Sequence, residues 1–306
     1  MQSLWMLLAS LLFSIMGVCV KLASSYYSTA EIVAYRGVIG MLLMLALLYW
    51  QGQTLRTRMF GHHLWRGAIG VAALWLWFYA IARLPLAMAV TLNYMSPIWL
   101  AAILCGGAYL KKQQQLESGL LLAIACGFVG VILLLRPVMH ADQIMGGIIA
   151  LISGMLAAVA YLQVRQMGLM GEPEARVVFY FSASCAVAGL VGTMLSGLIG
   201  AAPHSQTWQP HQTHSVLLLL VIGLTAASAQ VAMTRAYRLG NTLVTANLQY
   251  VGIIFSSIWD VLIWNDALDL MSWLGIVVIL ASGVLATYYN HRGIRPKVAA
   301  DSILSE

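Results

Sequence analysis

The sequence predicts an all-α integral membrane protein with ten transmembrane helices arranged as two inverted five-helix repeats. Of its 306 residues, 61% are hydrophobic and 8% are charged, whereas soluble domains carry about 25% charged residues. The apolar residues form runs of helix length without a two-residue alternation, so neither a soluble globule nor an outer-membrane barrel fits. Four cysteines in a chain of this length are too few for a disulfide scaffold.

Ten apolar segments approach the ~20 residues that a membrane-crossing helix needs. They lie at 4–22, 32–50, 64–82, 87–110 and 118–135 in the first half, and at 146–167, 177–199, 216–237, 242–264 and 271–289 in the second. We therefore divide the chain into a first repeat at 1–138, a second repeat at 139–290 and a cytoplasmic tail at 291–306. The start of the chain lacks a basic region, so the first segment is expected to be a true span and not a signal peptide.

The orientation follows from lysine and arginine, which collect on the cytoplasmic side of a membrane. With a cytoplasmic N-terminus, most of the 16 cations lie inside: Arg56, Arg58, Arg66, Lys111, Lys112, Arg165, Arg176, Arg235, Arg238, Arg292, Arg295 and Lys297. The exceptions are Lys21, Arg36, Arg83 and Arg136. This split predicts a multi-pass protein of the inner membrane with both termini in the cytoplasm. Because the cations are scattered, the net charge of +6 needs no nucleic-acid partner.

An internal repeat is visible in the sequence. Two features recur: Arg83-Leu84 matches Arg238-Leu239 after 155 positions, and Gly119 and Gly127 match Gly275 and Gly283 after 156. Each half has five predicted spans, and duplication of an odd number places the second copy upside down. Inverted repeats of this kind are common in secondary transporters, whose substrate site lies near the midplane between the repeats.

Several short motifs follow one another in a characteristic order. They are Leu8-Ala9-Ser10, Gly17-Val18-Cys19-Val20-Lys21, Glu31-Ile32-Val33-Ala34-Tyr35-Arg36, Tyr79-Ala80-Ile81-Ala82 and Ser96-Pro97. This order resembles the drug/metabolite transporter superfamily, in its EamA-type branch of ten-span carriers. The resemblance implies transport of metabolites such as amino acids, cofactors or drugs. The chain departs from the family at the end of the fourth span, where Leu110-Lys111 stands in place of the usual acidic residue.

Polar and aromatic side chains within the spans are the candidates for substrate contact, since polar groups in hydrocarbon usually face a cavity or another helix. Asn93 in the fourth span and Asn247 and Tyr250 in the ninth are expected to face one another across a midplane cavity. The alternative is an ordinary hydrogen bond between helices. Gln230 of the eighth span is a further candidate.

Two other groups could recognise parts of a substrate. Trp75 and Tyr79 lie deep in the third span and share a face, so they could form a stacking wall, or belong to an interfacial belt. Arg36 could bind an anionic group that enters from outside. It could equally pair with Glu31, which is itself a candidate for coupling or gating.

Asp260 and Pro97 complete the coupling and gating candidates. Asp260 lies deep in the ninth span, where an ionisable group is by default a functional candidate, and it could bind and release a proton or pair with a neighbouring helix. Pro97 removes one helical hydrogen bond and is either a hinge or a static kink.

The sequence therefore predicts a secondary carrier that moves a neutral, zwitterionic or planar small molecule by alternating access, as a monomer or homodimer in the lipid bilayer. Protons are the candidate coupling ion. No cofactor, metal or catalytic residue is expected, because Walker, His-Glu-x-x-His and Gly-x-Ser-x-Gly motifs are absent from the sequence. An integral-membrane enzyme acting on lipids and a channel are the alternatives.

Overall fold

The computed structural model describes residues 4–96, 98–100, 102–103, 118–135, 141–199, 213–240, 242–265 and 268–293. These residues form helices and short connections, with no β-strand among them. The helices are α1 Trp5–Ala23, α2 Thr29–Trp50, α3 Phe60–Ile81, α4 Leu86–Asn93, α5 Ser118–Leu135, α6 Ala141–Leu169, α7 Glu174–Ile199, α8 Thr213–Leu239, α9 Thr242–Leu248, α10 Val251–Trp259 and α11 Leu270–Gly293. A π-helical turn, Asp260–Trp264, continues α10.

Seven helical stretches of the described chain are long and apolar enough to cross a membrane. They correspond to the first, second, third, sixth, seventh, eighth and ninth predicted segments. Two shorter apolar helices, Leu86–Leu100 and Leu270–Leu285, fall on the fourth and tenth. The molecule is therefore an all-helical membrane protein.

The fourth and ninth segments are interrupted, although the sequence analysis treats each as one span. Tyr94 and Met95 form a turn after α4, and Gln249 and Tyr250 form a turn between α9 and α10. For the first break the sequence offers a cause, since a proline at position 97 has no N–H to donate to the carbonyl group of Asn93. Hydropathy summed over a span does not register a turn of this kind, because the segments on both sides of it are predominantly hydrophobic.

Helix ends follow local chemistry where the chain leaves the apolar segments. The hydroxyl of Ser28 accepts a hydrogen bond from the backbone N–H of Glu31, and the Glu31 carboxylate accepts one from the backbone of Ser28. This capping box begins α2. Asn265 ends the π-helical turn in a left-handed conformation with φ of 52°. Asparagine adopts this conformation more readily than most residues.

Small residues allow α2 and α7 to pack backbone against backbone. A Cβ atom on Gly37 would clash with the backbone of Ala186, and one on Gly189 would clash with the backbone of Ala34. Such close approach through small residues is the usual way in which membrane helices associate. The two glycines come from different helices, so each helix supplies a groove for the other.

The remaining large contacts also pair the two halves of the chain. Helix α1 packs along α8, α3 along α6, and α5 along α11. In the last pair, a Cβ atom on Gly130 would lie 2.9 Å from the carbonyl oxygen of Gly275. The glycines of the fifth and tenth segments therefore serve helix packing.

Candidate substrate site

A cavity of about 50 Å³ lies between the two halves of the chain. Its walls come from α1, α3, α6, α7, α8 and the end of α4, and its volume is enough for a few water molecules. The aromatic residues of the wall are Phe13, Trp77, Tyr94, Tyr161 and Phe181. Its charged and polar non-aromatic residues are Arg66, Asn93, Ser153 and Gln230. Of the predicted substrate contacts, Asn93 and Gln230 lie on this wall.

The two helix breaks show the same sequence spacing as the two Arg-Leu motifs. Tyr94 and Gln249 are 155 positions apart, the spacing that separates Arg83-Leu84 from Arg238-Leu239. Helix α4 packs on α10, and a Cβ atom on Gly252 would lie 2.8 Å from the ring of Tyr94. In transporters built from repeats, interrupted helices at corresponding positions typically form the substrate site.

Asn93 is fixed by a chain of hydrogen bonds on the cavity wall. Its Nδ2 atom donates to Oγ of Ser153 at 2.8 Å, and that hydroxyl donates to the carbonyl group of Ala73 at 2.6 Å. Three helices, α3, α4 and α6, thus meet through two side chains. The amide of Asn93 is held in one orientation toward the cavity.

The second break is connected to the cavity through stacked tyrosines. Tyr161 lies on the cavity wall and stacks on Tyr237, with ring centroids 5.1 Å apart. The hydroxyl of Tyr237 accepts a hydrogen bond of 2.9 Å from Nε2 of Gln249. A displacement at the second break can therefore reach the cavity through contacts between polar aromatic side chains.

Among the described residues, Arg66 is the arginine that lines the cavity. The sequence analysis explained this residue by cytoplasmic topology alone. The residue is 3% exposed, and its guanidinium group lies over the ring of Phe181 at 4.1 Å. Its Nε and Nη1 atoms are buried without a hydrogen-bond acceptor. The positive-inside rule accounts for cations near span ends, so the sequence analysis did not consider Arg66 as a cavity residue.

Arg36 lies behind the same aromatic ring and not on the cavity wall. Its Nη1 atom is 3.3 Å from Sγ of Cys185, and its guanidinium group is 5.2 Å from the centre of the Phe181 ring. The Phe181 ring thus contacts two buried guanidinium groups. An anion in the cavity would meet Arg66 first.

The tryptophan that lines the cavity is Trp77, and the predicted stacking pair faces elsewhere. The ring of Trp75 occupies the space beside Gly192 of α7, and the ring of Tyr79 lies 3.6 Å below the guanidinium group of Arg83. Trp77 contacts Phe13 edge to face, with centroids 6.4 Å apart. Helix α3 is apolar on most of its surface, so its sequence does not reveal which face meets the cavity.

The remaining predicted contacts belong to the interrupted helices. Tyr250 is buried, and its hydroxyl has no hydrogen-bond partner among the described residues. This hydroxyl lies where a Cβ atom on Gly283 of α11 would be. It is not part of the cavity wall. Asn247 belongs to α9, but its side chain lies outside the described residues, as does Pro97. Substrate contact by these residues stays a prediction.

Comparison with known proteins identifies the family. Residues 1–136 match the model of the EamA-like transporter family. The chain is 32% identical over 276 residues to the pseudopaline exporter of Pseudomonas aeruginosa, covering 90% of this chain and 92% of that protein. The chain belongs to the EamA-like transporter family.

Other relatives of this EamA-family protein agree. It is 26% identical to the riboflavin transporter of Vibrio cholerae, covering 96% of this chain and 95% of that one. A solved crystal structure with 18% sequence identity shares the fold, with a TM-score of 0.66 over 95% of this chain and 98% of the other. The protein is accordingly a transporter of a small metabolite within the drug/metabolite transporter superfamily.

Asp260 of the EamA-family protein is completely buried and holds the start of α4. Its carboxylate accepts hydrogen bonds from the backbone N–H groups of Leu86 at 3.1 Å and Ala87 at 2.6 Å. The Nζ atom of Lys21 lies 3.4 Å from the same carboxylate and 4.3 Å from the centre of the Trp264 ring. A helix N-terminus and an ammonium group both favour a negative charge.

The Glu31 carboxylate takes part in the capping box of α2, and its role in coupling or gating stays a prediction. The Glu31 carboxylate accepts hydrogen bonds of 2.8 Å and 2.9 Å from the backbone and the hydroxyl of Ser28. Arg36 instead reaches α7, as described above. The five-residue spacing places the two side chains on different faces of α2.

A second polar cluster lies at the start of α3 and was not found from the sequence. The Nε2 atom of His63 is 2.9 Å from Oε1 of Glu172, and Nη1 of Arg176 is 3.3 Å from the same oxygen. The His63 ring lies 4.4 Å from the ring of Tyr180. Glu172 precedes α7, so this cluster joins the first half of the chain to the second.

The pKa of Glu172 reflects a balance. Burial of its carboxyl group opposes the charge, but the hydrogen bonds from His63 and Thr57 and the charge of Arg176 outweigh burial. Together they hold the pKa of Glu172 below its ordinary value.

Proposed function

We propose that the protein is a secondary carrier, not an enzyme, that moves its metabolite by alternating access of the cavity between the two repeats. The observation that carries the proposal is the pair of helix breaks at equivalent positions, one of which, at Tyr94, lies on the cavity wall. Broken helices free backbone groups near the substrate and allow the half-helices to move. The cavity of about 50 Å³ must widen to admit a metabolite, which agrees with a carrier that changes shape.

The packing supports two repeats that are related by a twofold exchange. The test exchanges each predicted span with its counterpart in the other half, so that α1 exchanges with α6, α3 with α8, and α4 with α10. Under this exchange, the contact of α1 with α8 becomes that of α6 with α3. The contact of α4 with α6 becomes that of α10 with α1. All four contacts exist. The pairs α2 with α7 and α5 with α11 each map onto themselves. We infer ten spans, with the repeats at 1–138 and 139–290.

Two polar clusters are suited to close the cavity from opposite sides. In the proposed orientation, with both termini in the cytoplasm of an inner-membrane protein, Lys21 and Asp260 lie toward the outside, and His63 and Glu172 lie toward the cytoplasm. Each cluster joins the first half to the second. Alternating access requires one of them to separate while the other holds.

Asp260 is the proposed coupling residue, with protons as the coupling ion. Its carboxylate is stabilised by Lys21 and by the backbone N–H groups of Leu86 and Ala87. Separation of α10 from α4 would remove the two backbone donors of α4, so proton binding could accompany opening. Pro97 and Glu31 are retained as proposed hinge and outer-end gating residues.

Counterflow in proteoliposomes tests the carrier. Vesicles loaded with an unlabelled metabolite from a panel of amino acids, riboflavin and other small compounds are exposed to the labelled compound. We expect saturable accumulation that depends on the internal compound. A linear flux without exchange would indicate a channel, and chemical conversion of the compound would indicate an enzyme.

The orientation has its own test. In a variant without native cysteines, Ser25→Cys should react with a membrane-impermeant maleimide added to whole spheroplasts, and Gln53→Cys should react only after permeabilisation. Both positions are exposed in the structure, so reactivity reports the side of the membrane. The opposite pattern would refute the proposed orientation.

A further inference from the structure

Arg66 places a buried, uncompensated positive charge on the cavity wall. It lies in the second turn of α3, is 3% exposed, and its Nη1 atom fills the space beside Gly70 that a larger residue would take. The Nε and Nη1 atoms have no acceptor. These donors are available to a molecule in the cavity.

No carboxylate of the described residues lies within salt-bridge distance of this guanidinium group. A second cation, Arg36, contacts the same Phe181 ring. A buried ion without a counter-ion is costly. Such a charge persists in a transporter cavity most simply if the cargo supplies the counter-ion.

The geometry favours a carboxylate as that counter-ion. One guanidinium group reaches the cavity, and its planar fork matches the two oxygens of a carboxylate. The rest of the wall offers aromatic surface from Phe13, Trp77 and Tyr94, and amides from Asn93 and Gln230. An organic acid or zwitterion with an apolar or aromatic body fits this combination.

We infer that Arg66 binds a carboxylate group of the transported metabolite. The inference rests on the proposed function, because it takes the cavity to be the substrate site. It narrows the expectation of a neutral, zwitterionic or planar substrate to one that carries a carboxylate. It also transfers the anion-binding role from Arg36 to Arg66.

Thermal stabilisation of the full-length protein in detergent tests the inference without requiring transport. The probes are benzoate with benzamide, and L-tryptophan with L-tryptophan amide, each at millimolar concentration, with sodium chloride as the inorganic control. The variants are Arg66→Gln, Arg66→Lys, and Arg58→Gln as a control for the loss of an exposed loop arginine.

We expect at least one carboxylate to raise the melting temperature more than its amide does. In Arg66→Gln the apparent affinity for that carboxylate should fall about 10- to 100-fold, as for loss of a charge-assisted hydrogen bond. Arg66→Lys should retain part of the shift, and Arg58→Gln all of it. Without ligand, Arg66→Gln should melt no lower than the wild type, because it removes an uncompensated buried charge.

The inference is overturned if acids and amides stabilise the wild type equally, or if Arg66→Gln keeps the full shift. It is also overturned if chloride alone gives the same Arg66-dependent shift, since the site would then hold an inorganic anion. Failure of counterflow with every compound contradicts the proposed carrier but leaves the binding result intact. Conversely, undiminished exchange of a carboxylate substrate by Arg66→Gln refutes the role of Arg66 in carboxylate binding and leaves the carrier standing.

Discussion

The Nζ atom of Lys21 lies 3.4 Å from Oδ1 of Asp260, so an ion pair joins the first helix of the chain to the π-helical turn near its end. The same carboxylate receives the N–H groups of Leu86 and Ala87. A carboxylate that is 0% exposed thus has three donors from two helices. This arrangement explains how an acidic residue is tolerated within an apolar bundle.

Replacement of Asp260 should destabilise the protein more than replacement of Lys21. Lys21→Met leaves the carboxylate with two backbone donors, whereas Asp260→Asn places an amide beside the donors of Leu86 and Ala87. Removal of either partner of a buried ion pair typically costs about 3–5 kcal/mol, but Asp260→Asn also turns an NH₂ group toward the two backbone N–H donors, so we expect the larger fall in melting temperature for Asp260→Asn. Equal effects of the two single variants would contradict this ranking.

The double variant Lys21→Met/Asp260→Asn gives a sharper measurement. Because the two residues contact each other, its loss of stability should be smaller than the sum of the two single losses. Additive losses would show that the pair contributes no coupling. Transport by Asp260→Asn should also lose its dependence on a proton gradient if this residue is the coupling site.

The hydrogen bond between Asn93 and Ser153 should contribute both to stability and to substrate binding. Ser153→Ala removes the acceptor of the Asn93 amide and the donor to the Ala73 carbonyl group, so we expect a loss of about 1–3 kcal/mol together with weaker substrate binding. Ser257→Ala is the matched control, because its hydroxyl donates only to the carbonyl group of Ile253 within its own helix. An equal effect of the control would indicate that loss of a buried hydroxyl, and not the position of Asn93, is responsible.

The sequence predicted the apolar segments well because transfer into lipid depends on the sum of many side chains. Asn93 and Gln230 lie on the cavity wall, as expected for amides in hydrocarbon, which seek a polar environment; substrate contact by them stays a prediction. By contrast, the breaks at Tyr94 and Gln249 are changes of backbone geometry inside predominantly apolar segments, and only the first has a visible sequence cause, in Pro97. Hydropathy carries no information about them.

Two residues of the cavity wall, Trp77 and Arg66, were missed by the sequence analysis for a different reason. Trp75 and Trp77 are two positions apart on a helix that is apolar on most sides, and only packing against α7 decides which one meets the cavity. For Arg66, the positive-inside rule already explained why an arginine lies near the end of a span. Burial and the absence of an acceptor could be found only from the structure.

Close packing of α2 and α7 predicts that Gly37→Ala is harmful. The added Cβ atom would clash with the backbone of Ala186, which cannot move without displacing the helix. Overpacking typically costs about 1–3 kcal/mol, and we expect lower expression and a lower melting temperature. Gly61→Ala is the control, because nothing lies within 4 Å of its Cβ position; a helical alanine there should be neutral or slightly stabilising. Equal melting temperatures for the two variants would contradict the packing described for α2.

The contact of Glu172 with His63 predicts acid sensitivity of the fold. The folded state holds the pKa of Glu172 below its ordinary value of 4.5, so the stabilisation is fully present above about that pH. It is lost as the pH falls through the lower pKa of the folded protein. The melting temperature of the wild type should therefore fall in this acidic range more steeply than that of Glu172→Gln, which cannot titrate. At neutral pH the variant should be the less stable of the two, because it loses the charge that His63 and Arg176 contact. Parallel pH profiles for the two proteins would show that Glu172 is not the group responsible.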